Sequence, residues 1–167
     1  MHTGIYVIMG VAGSGKTTIG ELLARTLDIP FVEGDDLHPR ANIERMAHGI
    51  PLNDDDRRPW LLAIAQRLRE AEQSGSGLVV TCSALKRSYR DLLRSHGAAD
   101  TRFVYLRGSQ PTIAERLARR RGHFMPASLL ESQFAALEEP GAEEHASVYD
   151  VRESPEAIVA DLVRQST

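Results

Sequence analysis

"IYVIMGVAGSGKTT", residues 5–18, joins an apolar run to a glycine-rich turn that ends in lysine and threonine. The turn fits G-x-x-x-x-G-K-[ST] at Gly10, Gly15, Lys16 and Thr17. Each part has a physical purpose. Glycines let the backbone turn tightly and aim successive N–H groups inward, and a helix starting near Lys16 adds its positive dipole end. Lys16 then reaches the outer phosphates of a nucleotide, and the Thr17 hydroxyl is placed to ligate Mg²⁺. A plain glycine-rich turn with an exposed lysine would need no particular surroundings, but here the surroundings fit. Ile5 to Met9 read as a buried strand, and Ile19, Leu22, Leu23 and Leu27 keep the helical period. Strand, loop and helix come in the order a nucleoside triphosphate site requires.

At 167 residues the chain suits one domain, 1–167, with a sizeable core. It is 42% hydrophobic and 26% charged, which is ordinary for a globular protein. A net charge of −3 gives no general reason to expect nucleic acid or a membrane as partner. The single cysteine, Cys82, excludes an internal disulfide and fits a reducing compartment. No signal-like segment and no run of 18 apolar residues is present, so a cytoplasmic enzyme is expected.

Further strand-like segments are Phe31–Glu33, Leu78–Cys82, Arg102–Leu106 and Ser147–Val151. Helical stripes lie between them, with Trp60, Leu61, Ile64 and Leu68 on one and Ile113 and Leu117 on another. A last helix has Ser154 as N-cap, Pro155 at its first position, and Ile158, Val159, Leu162 and Val163 on its buried face. Strands alternating with helices predict a parallel sheet covered on both faces, an α/β fold with its site at the carboxyl ends of the strands. Polar stretches fall at those ends: "VEGDDLHPR" after the second strand, "CSALKR" after the third, and "RRRGHF" after the helix that follows the fourth. Three such clusters converging on a phosphate loop are what a small-molecule kinase needs.

Glu33 and Asp35 fall on one side of an extended chain. One carboxylate can hold a water on Mg²⁺ while the other, Asp35, contacts an acceptor hydroxyl and takes its proton during phosphoryl transfer. Asp36 is expected to cap the next helix. "NDDDRRPW", residues 53–60, reads as a helix start with acids in its first turn and Pro59 nearby. That leaves Arg57 and Arg58 unexplained, because cations are mildly unfavourable there. An arginine at this place can bind an anionic substrate group through its planar fork, and spacing alone does not decide between the two readings. Lys86 and Arg90 lie four apart on one helical face, a solvated surface or a basic pocket, with the former favoured for Arg90. Cys82 reads as a small buried residue at a strand end. In "ERLARRRGHF" the cations either complement a helix C-terminus or supply a lid arginine that closes on the transferring group. Arg116 and Arg120 share a face there. His/Cys spacing gives no zinc site.

Taken together, "IMGVAGSGKTT", "GDDLHPRANIERMAHGIPLNDDDRRPWL", "CSALKRSYRDLLR", "YLRG" and "RRGHFMPASLLESQFAALEEP" resemble the P-loop gluconokinases, from about Ile5 to Pro140. The resemblance implies ATP- and Mg²⁺-dependent phosphorylation of D-gluconate at its 6-hydroxyl. It implies a P-loop NTPase fold, three-layer α/β/α with a five-stranded parallel sheet and a helical lid near 120–140, and commonly a homodimer. The nucleotide would lie on Gly10, Val11, Ala12, Gly13, Ser14, Gly15, Lys16, Thr17 and Thr18, with Arg116 beside them and Thr17 on the metal. Lys16, Asp35 and Arg120 would be catalytic, and Asp35, His38, Arg57, Lys86 and His123 would bind substrate. Shikimate kinases are similar in layout at greater distance. Their acidic pair, carboxylate-binding arginine and lid arginine map onto Glu33 and Asp35, Arg57 and Arg120. Glu for Asp at 33 counts against a metal-water role there. "CSALK" replaces the glycine-rich motif after strand three, which argues against shikimate. Because Arg57 would face a substrate carboxylate, the acids just before it are expected to point elsewhere. A GTPase would need N-K-x-D and D-x-x-G, and neither string occurs. A nucleotide-binding regulator would not need a carboxylate beside the phosphates.

Overall fold

The computed structural model describes residues 4–119 and 127–166. Five strands, β1 (Ile5–Met9), β2 (Phe31–Glu33), β3 (Leu78–Thr81), β4 (Arg102–Arg107) and β5 (Ser147–Asp150), form one sheet in the order β2-β3-β1-β4-β5. Every neighbouring pair is parallel. The sequence places all five, with ends shifted by one residue at β3, β4 and β5. β1 lies centrally, Ile8 opposite Thr81 of β3 on one side and Val104 of β4 on the other. The chain leaves β1 toward β2 on one flank and later reaches β4 on the other. A crevice therefore opens at the carboxyl end of β1, where the glycine loop sits.

Side-chain alternation divides the core. Ile5, Val7 and Met9 point to one face, against Trp60, Leu61, Ile64 and Leu68 of α3 (Asp54–Ser74) and Leu93 of α4 (Arg87–His96). Tyr6 and Ile8 point to the other, against Ile19, Leu23 and Leu27 of α1 (Lys16–Leu27) and Ile158, Val159 and Leu162 of α7 (Pro155–Gln165). Period two in the strand and 3.6 in the helices thus give three layers. The remaining helices are α2 (Arg40–Ala47), α5 (Gln110–Arg119) and α6 (Ala127–Ala136). No helix among the described residues is long and apolar enough to cross a membrane.

Caps follow the sequence in two places. Ser154 accepts from Ala157 N–H at the start of α7. Asn53 and Asp56 form a reciprocal capping box at the start of α3. Pro59 lies inside α3, in its second turn, so one backbone bond is missing there.

Two expectations are corrected. Asp36 does not cap α2. It lies in a 3-10 turn, Gly34–Leu37, and Pro39 stands at the α2 N-cap without a side-chain bond. Arg90 is not at the surface: its side chain is 0% exposed. Its guanidinium donates to both Glu144 carboxylate oxygens, at 2.8 and 3.0 Å, and to the carbonyls of Ala84 and Glu138. Those bonds hold the Glu144 carboxyl down to about 2, against the opposing effect of its burial. They also tie the segment after α6 to α4. Residues 127–136 of the expected lid region form α6, whose Leu130 is buried in the α1–α7 side of the core.

Candidate active site

The phosphate loop is shaped by glycines that no other residue replaces without strain. Gly10 has φ +148°, and a Cβ there would come within 2.9 Å of the Leu106 carbonyl. Gly13 has φ +80° and would press a Cβ onto Leu117. The N-cap of α1 is Gly15, with no side-chain cap and no acid in the first turn. Uncapped N–H groups and the dipole end therefore face the loop, an arrangement suited to an anion. Lys16 Nζ folds across the loop and donates to the carbonyls of Gly10 and Val11 at 3.1 and 3.0 Å. Ser14 Oγ is buried in the loop and has no hydrogen-bond partner among the described residues.

Thr17 points from the first turn of α1 to the end of β2. Its Oγ1 donates to Glu33 Oε2 at 2.6 Å. The other Glu33 oxygen accepts from Thr81 Oγ1 at the end of β3, and Thr81 Oγ1 in turn accepts from Gly34 N–H at 3.0 Å. Glu33, whose departure from the aspartate of shikimate kinases counted against a metal-water role, joins the ends of β2 and β3 to α1. With its proton committed to Glu33, the Thr17 oxygen keeps lone pairs for a cation. Among the described residues no group of three His, Cys, Asp or Glu side chains is placed to hold a metal ion. Thr17 with nucleotide oxygens fits Mg²⁺, which keeps few protein ligands.

Asp35 does not continue an extended chain from Glu33, because β2 ends at Glu33 and the 3-10 turn begins at Gly34. The charge of Glu33 nevertheless acts on Asp35. Partial desolvation of the carboxylate in the cleft raises the Asp35 pKa, Lys16 opposes this, and Glu33 and Asp36 add to it. Asp35 keeps an open side to solvent. Gly34 is pinned from both sides: a Cβ there would fall 1.8 Å from the Thr81 carbonyl, and its own carbonyl accepts from Trp60 Nε1 at 2.8 Å.

His38 stacks on the Trp60 ring, 4.1 Å between centroids and 12° from parallel. Asn42 Nδ2 donates to the Asp56 carbonyl at 2.8 Å and lies 3.3 Å from His38 Nδ1. A carbonyl only accepts, so the amide nitrogen faces both groups, and His38 Nδ1 is the acceptor. Burial, with Arg57 adding to it, lowers the His38 pKa to about 4. The ring is neutral at pH 7.

Arg57 and Lys86 flank Tyr89, each 5.7 Å from its ring centroid. Arg57 Nη1 donates to Tyr89 Oη at 2.9 Å, Tyr89 Oη donates to Asp54 Oδ1, and Lys86 Nζ donates to the same carboxylate at 3.0 Å. The expectation that all three acids turn away from Arg57 is therefore corrected. Asp56 is spent on the cap and on Arg45, but Asp54 stands 4.0 Å from the guanidinium. Bonds from Tyr89 and then Lys86 lower the Asp54 pKa. Tyr89 and Asp54 escaped the sequence reading, although Tyr89, three residues past Lys86 at the start of a helix, carried a usable signal.

Arg116 lies over the loop, its Nε donating to the Gly13 carbonyl at 3.2 Å and its Nη1 to the Val151 carbonyl at 3.0 Å. Between it, Thr18 and the 151–155 segment opens a cleft of about 290 Å³. That segment is a wall the sequence reading did not identify. Arg120 and His123 lie outside the described residues. Cys82 is buried beside Ala84, and burial pushes its thiol up to about 12, as expected of a packing residue.

The AAA domain family pattern matches residues 5–140. A gluconokinase of Gluconobacter oxydans is 49% identical over 158 residues, 95% of this chain and 88% of that protein. The thermoresistant gluconokinase of Escherichia coli is 46% identical over 160 residues, 95% of this chain and 91% of its own. Among solved structures, a gluconokinase from Sinorhizobium meliloti superposes with a TM-score of 0.88 at 49% identity, covering 98% of this chain and 94% of that one.

Proposed function

The chain belongs to the gluconokinase family, and on that premise we propose that it transfers the γ-phosphoryl group of ATP to the 6-hydroxyl of D-gluconate. The likeness to gluconokinases over nearly the whole chain carries the reading, and the built site supports it. The loop amides and Lys16 hold the β- and γ-phosphate oxygens. Thr17, oriented by Glu33, contributes its oxygen to Mg²⁺. The ion, when bound, neutralises phosphate charge and aligns the transferred group.

Asp35 orients the 6-hydroxyl and takes its proton as the O6–P bond forms and the bond from phosphorus to ADP breaks. Its pKa, raised above the ordinary aspartate value by burial, makes it a better proton acceptor than an exposed aspartate. Arg57, with Tyr89 and Lys86, receives the substrate carboxylate in place of Asp54. Neutral His38, held on Trp60, offers its Nε2–H to a substrate oxygen. Arg116 steadies the loop beside the nucleoside, and Arg120 and His123 keep the roles the family pattern gives them. The enzyme works in the cytoplasm.

Because Arg57 already has partners in the free enzyme, loss of the substrate carboxylate leaves no orphaned charge. Discrimination then reflects charged hydrogen bonds, worth about 1.5–3 kcal/mol, or roughly tenfold to a hundredfold in rate. The test is ATP consumption with gluconate, sorbitol, glucose and shikimate, with the product identified. Gluconate should be converted to 6-phosphogluconate and the neutral polyols far more slowly. Equal kcat/KM for gluconate and sorbitol, or preference for shikimate, overturns the reading.

A further inference from the structure

The phosphate loop is held from outside by a residue with no part in the scheme above. Ala12 N–H donates to Gln133 Oε1 at 2.7 Å, across 121 positions of sequence. Gln133 stands on α6, and α6 is fixed to the body at several points. Leu130 is buried, Phe134 packs on the same side of the core, and Leu137 packs against both sides. Just beyond, Glu138 N–H donates to the Leu85 carbonyl at 2.7 Å, and the Glu138 carboxylate accepts from Arg87 N–H at 2.8 Å. The Gln133 amide is therefore delivered to the loop by a braced helix.

One residue further along the loop, the Gly13 carbonyl accepts from Arg116 Nε. The Val11–Ala12 and Gly13–Ser14 peptide planes are thus each tied to a side chain outside the loop. Peptide units are rigid planes, so fixing these two leaves the plane between them, which carries Gly13 N–H, little freedom. An N–H that donates to Gln133 is also unable to point into the anion site.

We infer that Gln133 is a positioning residue for the phosphate loop: it turns the Ala12 N–H away from the anion site and holds the Ala12–Gly13 peptide plane so that the Gly13 N–H faces the nucleotide phosphates. It does so without touching the nucleotide. The inference rests on the ATP-site reading and is independent of which acceptor is phosphorylated.

The test uses Gln133→Met and Gln133→Leu, which keep bulk and remove the acceptor, and measures ADP and adenosine binding by calorimetry with no gluconate present. Loss of one hydrogen bond should weaken ADP binding by about fivefold to tenfold. Adenosine affinity should stay unchanged, since it has no phosphate for the loop to grip. KM for ATP should rise by a similar factor and KM for gluconate should not. Unchanged ADP affinity in either folded variant overturns the inference. So does an equal loss for ADP and adenosine, which marks general damage to the cleft. Amide exchange in the unmodified protein decides the matter even if both variants misfold. A protected Ala12 N–H supports the bond, and exchange as fast as in an open chain refutes it. A wild-type protein that binds no ADP refutes the ATP site itself, whereas one that binds ADP and ignores gluconate refutes only the acceptor.

Discussion

Thr17 Oγ1 and Glu33 Oε2 stand 2.6 Å apart, one hydrogen bond joining the first turn of α1 to the end of β2. The donor direction fixes which side of the threonine oxygen remains for a cation. Glu33→Ala should raise the Mg²⁺ concentration for half-maximal rate by about tenfold to a hundredfold, the range for a residue that orients a metal ligand. Glu33→Gln, which keeps an acceptor, should do less. A Mg²⁺ titration at fixed ATP measures both. An unchanged titration in Glu33→Ala would detach the carboxylate from the metal.

Asp35→Asn should lower kcat by about 10²–10⁴-fold, the usual scale of general-base catalysis, with a modest change in the gluconate KM. In the unmodified enzyme kcat should fall as the pH drops through the Asp35 pKa, which lies above its ordinary 3.8. Steady-state kinetics across acid pH provide the check. A change confined to KM would make Asp35 a binding residue only.

Arg57→Lys should raise the KM for gluconate and leave the KM for ATP nearly unchanged, because an ammonium keeps the charge and loses the fork. Arg57→Ala should raise it further. Normal gluconate kinetics in Arg57→Ala would shift carboxylate binding to Lys86, the other cation beside Tyr89.

Glu144→Gln should destabilise the fold by about 3–5 kcal/mol, since it leaves the buried Arg90 guanidinium without its counter-charge. Below its lowered melting temperature the variant should keep its kcat. Glu144 has a depressed pKa, so its contribution is fully present above the ordinary 4.5 and is lost as the pH falls through about 2. Denaturant melts of both proteins, with assays at low temperature, separate the stability effect from catalysis.

His38 gives a second, higher acid limb. Its folded pKa of about 4 lies below the ordinary 6.5, so the unfolded chain binds the proton more readily. Stability should be complete above 6.5 and decline as the pH falls toward 4. His38→Gln should flatten that stretch of the curve in urea denaturation. An equal slope in the variant would assign it to other groups.

The architecture was readable because its signals are local. Apolar runs, the Ser154 cap and the Asn53 start each declare themselves within a few residues, and the glycine loop fixes where the crevice must be. What escaped depends on partners far along the chain. Arg90 lies in a pattern that fits a wet surface, and the counter-charge that makes its burial tolerable, Glu144, comes 54 residues later. Asp54 belongs to an acidic run that capping explains, yet it closes a circuit with Tyr89 on α4 and with Lys86 at the N-cap of that helix. Gln133 has nothing in its neighbourhood of sequence to link it with Ala12. Charge and amide groups carry no periodicity that tells which ones will meet.

A hydrogen atom at position 34 governs how closely the end of β2 meets β3. Any larger group on Gly34 would drive into the Thr81 carbonyl, so β2 would have to slide or part from β3. The same residue begins the turn that bears Asp35 and immediately follows Glu33. Asp35 and Glu33, the proposed proton acceptor and metal-side carboxylate, are consequently mounted on one short segment, whose height is measured from the third strand and not from the glycine loop. Enlarging that single position should move both acids together, misaligning donor and acceptor while every chemical group remains in the chain.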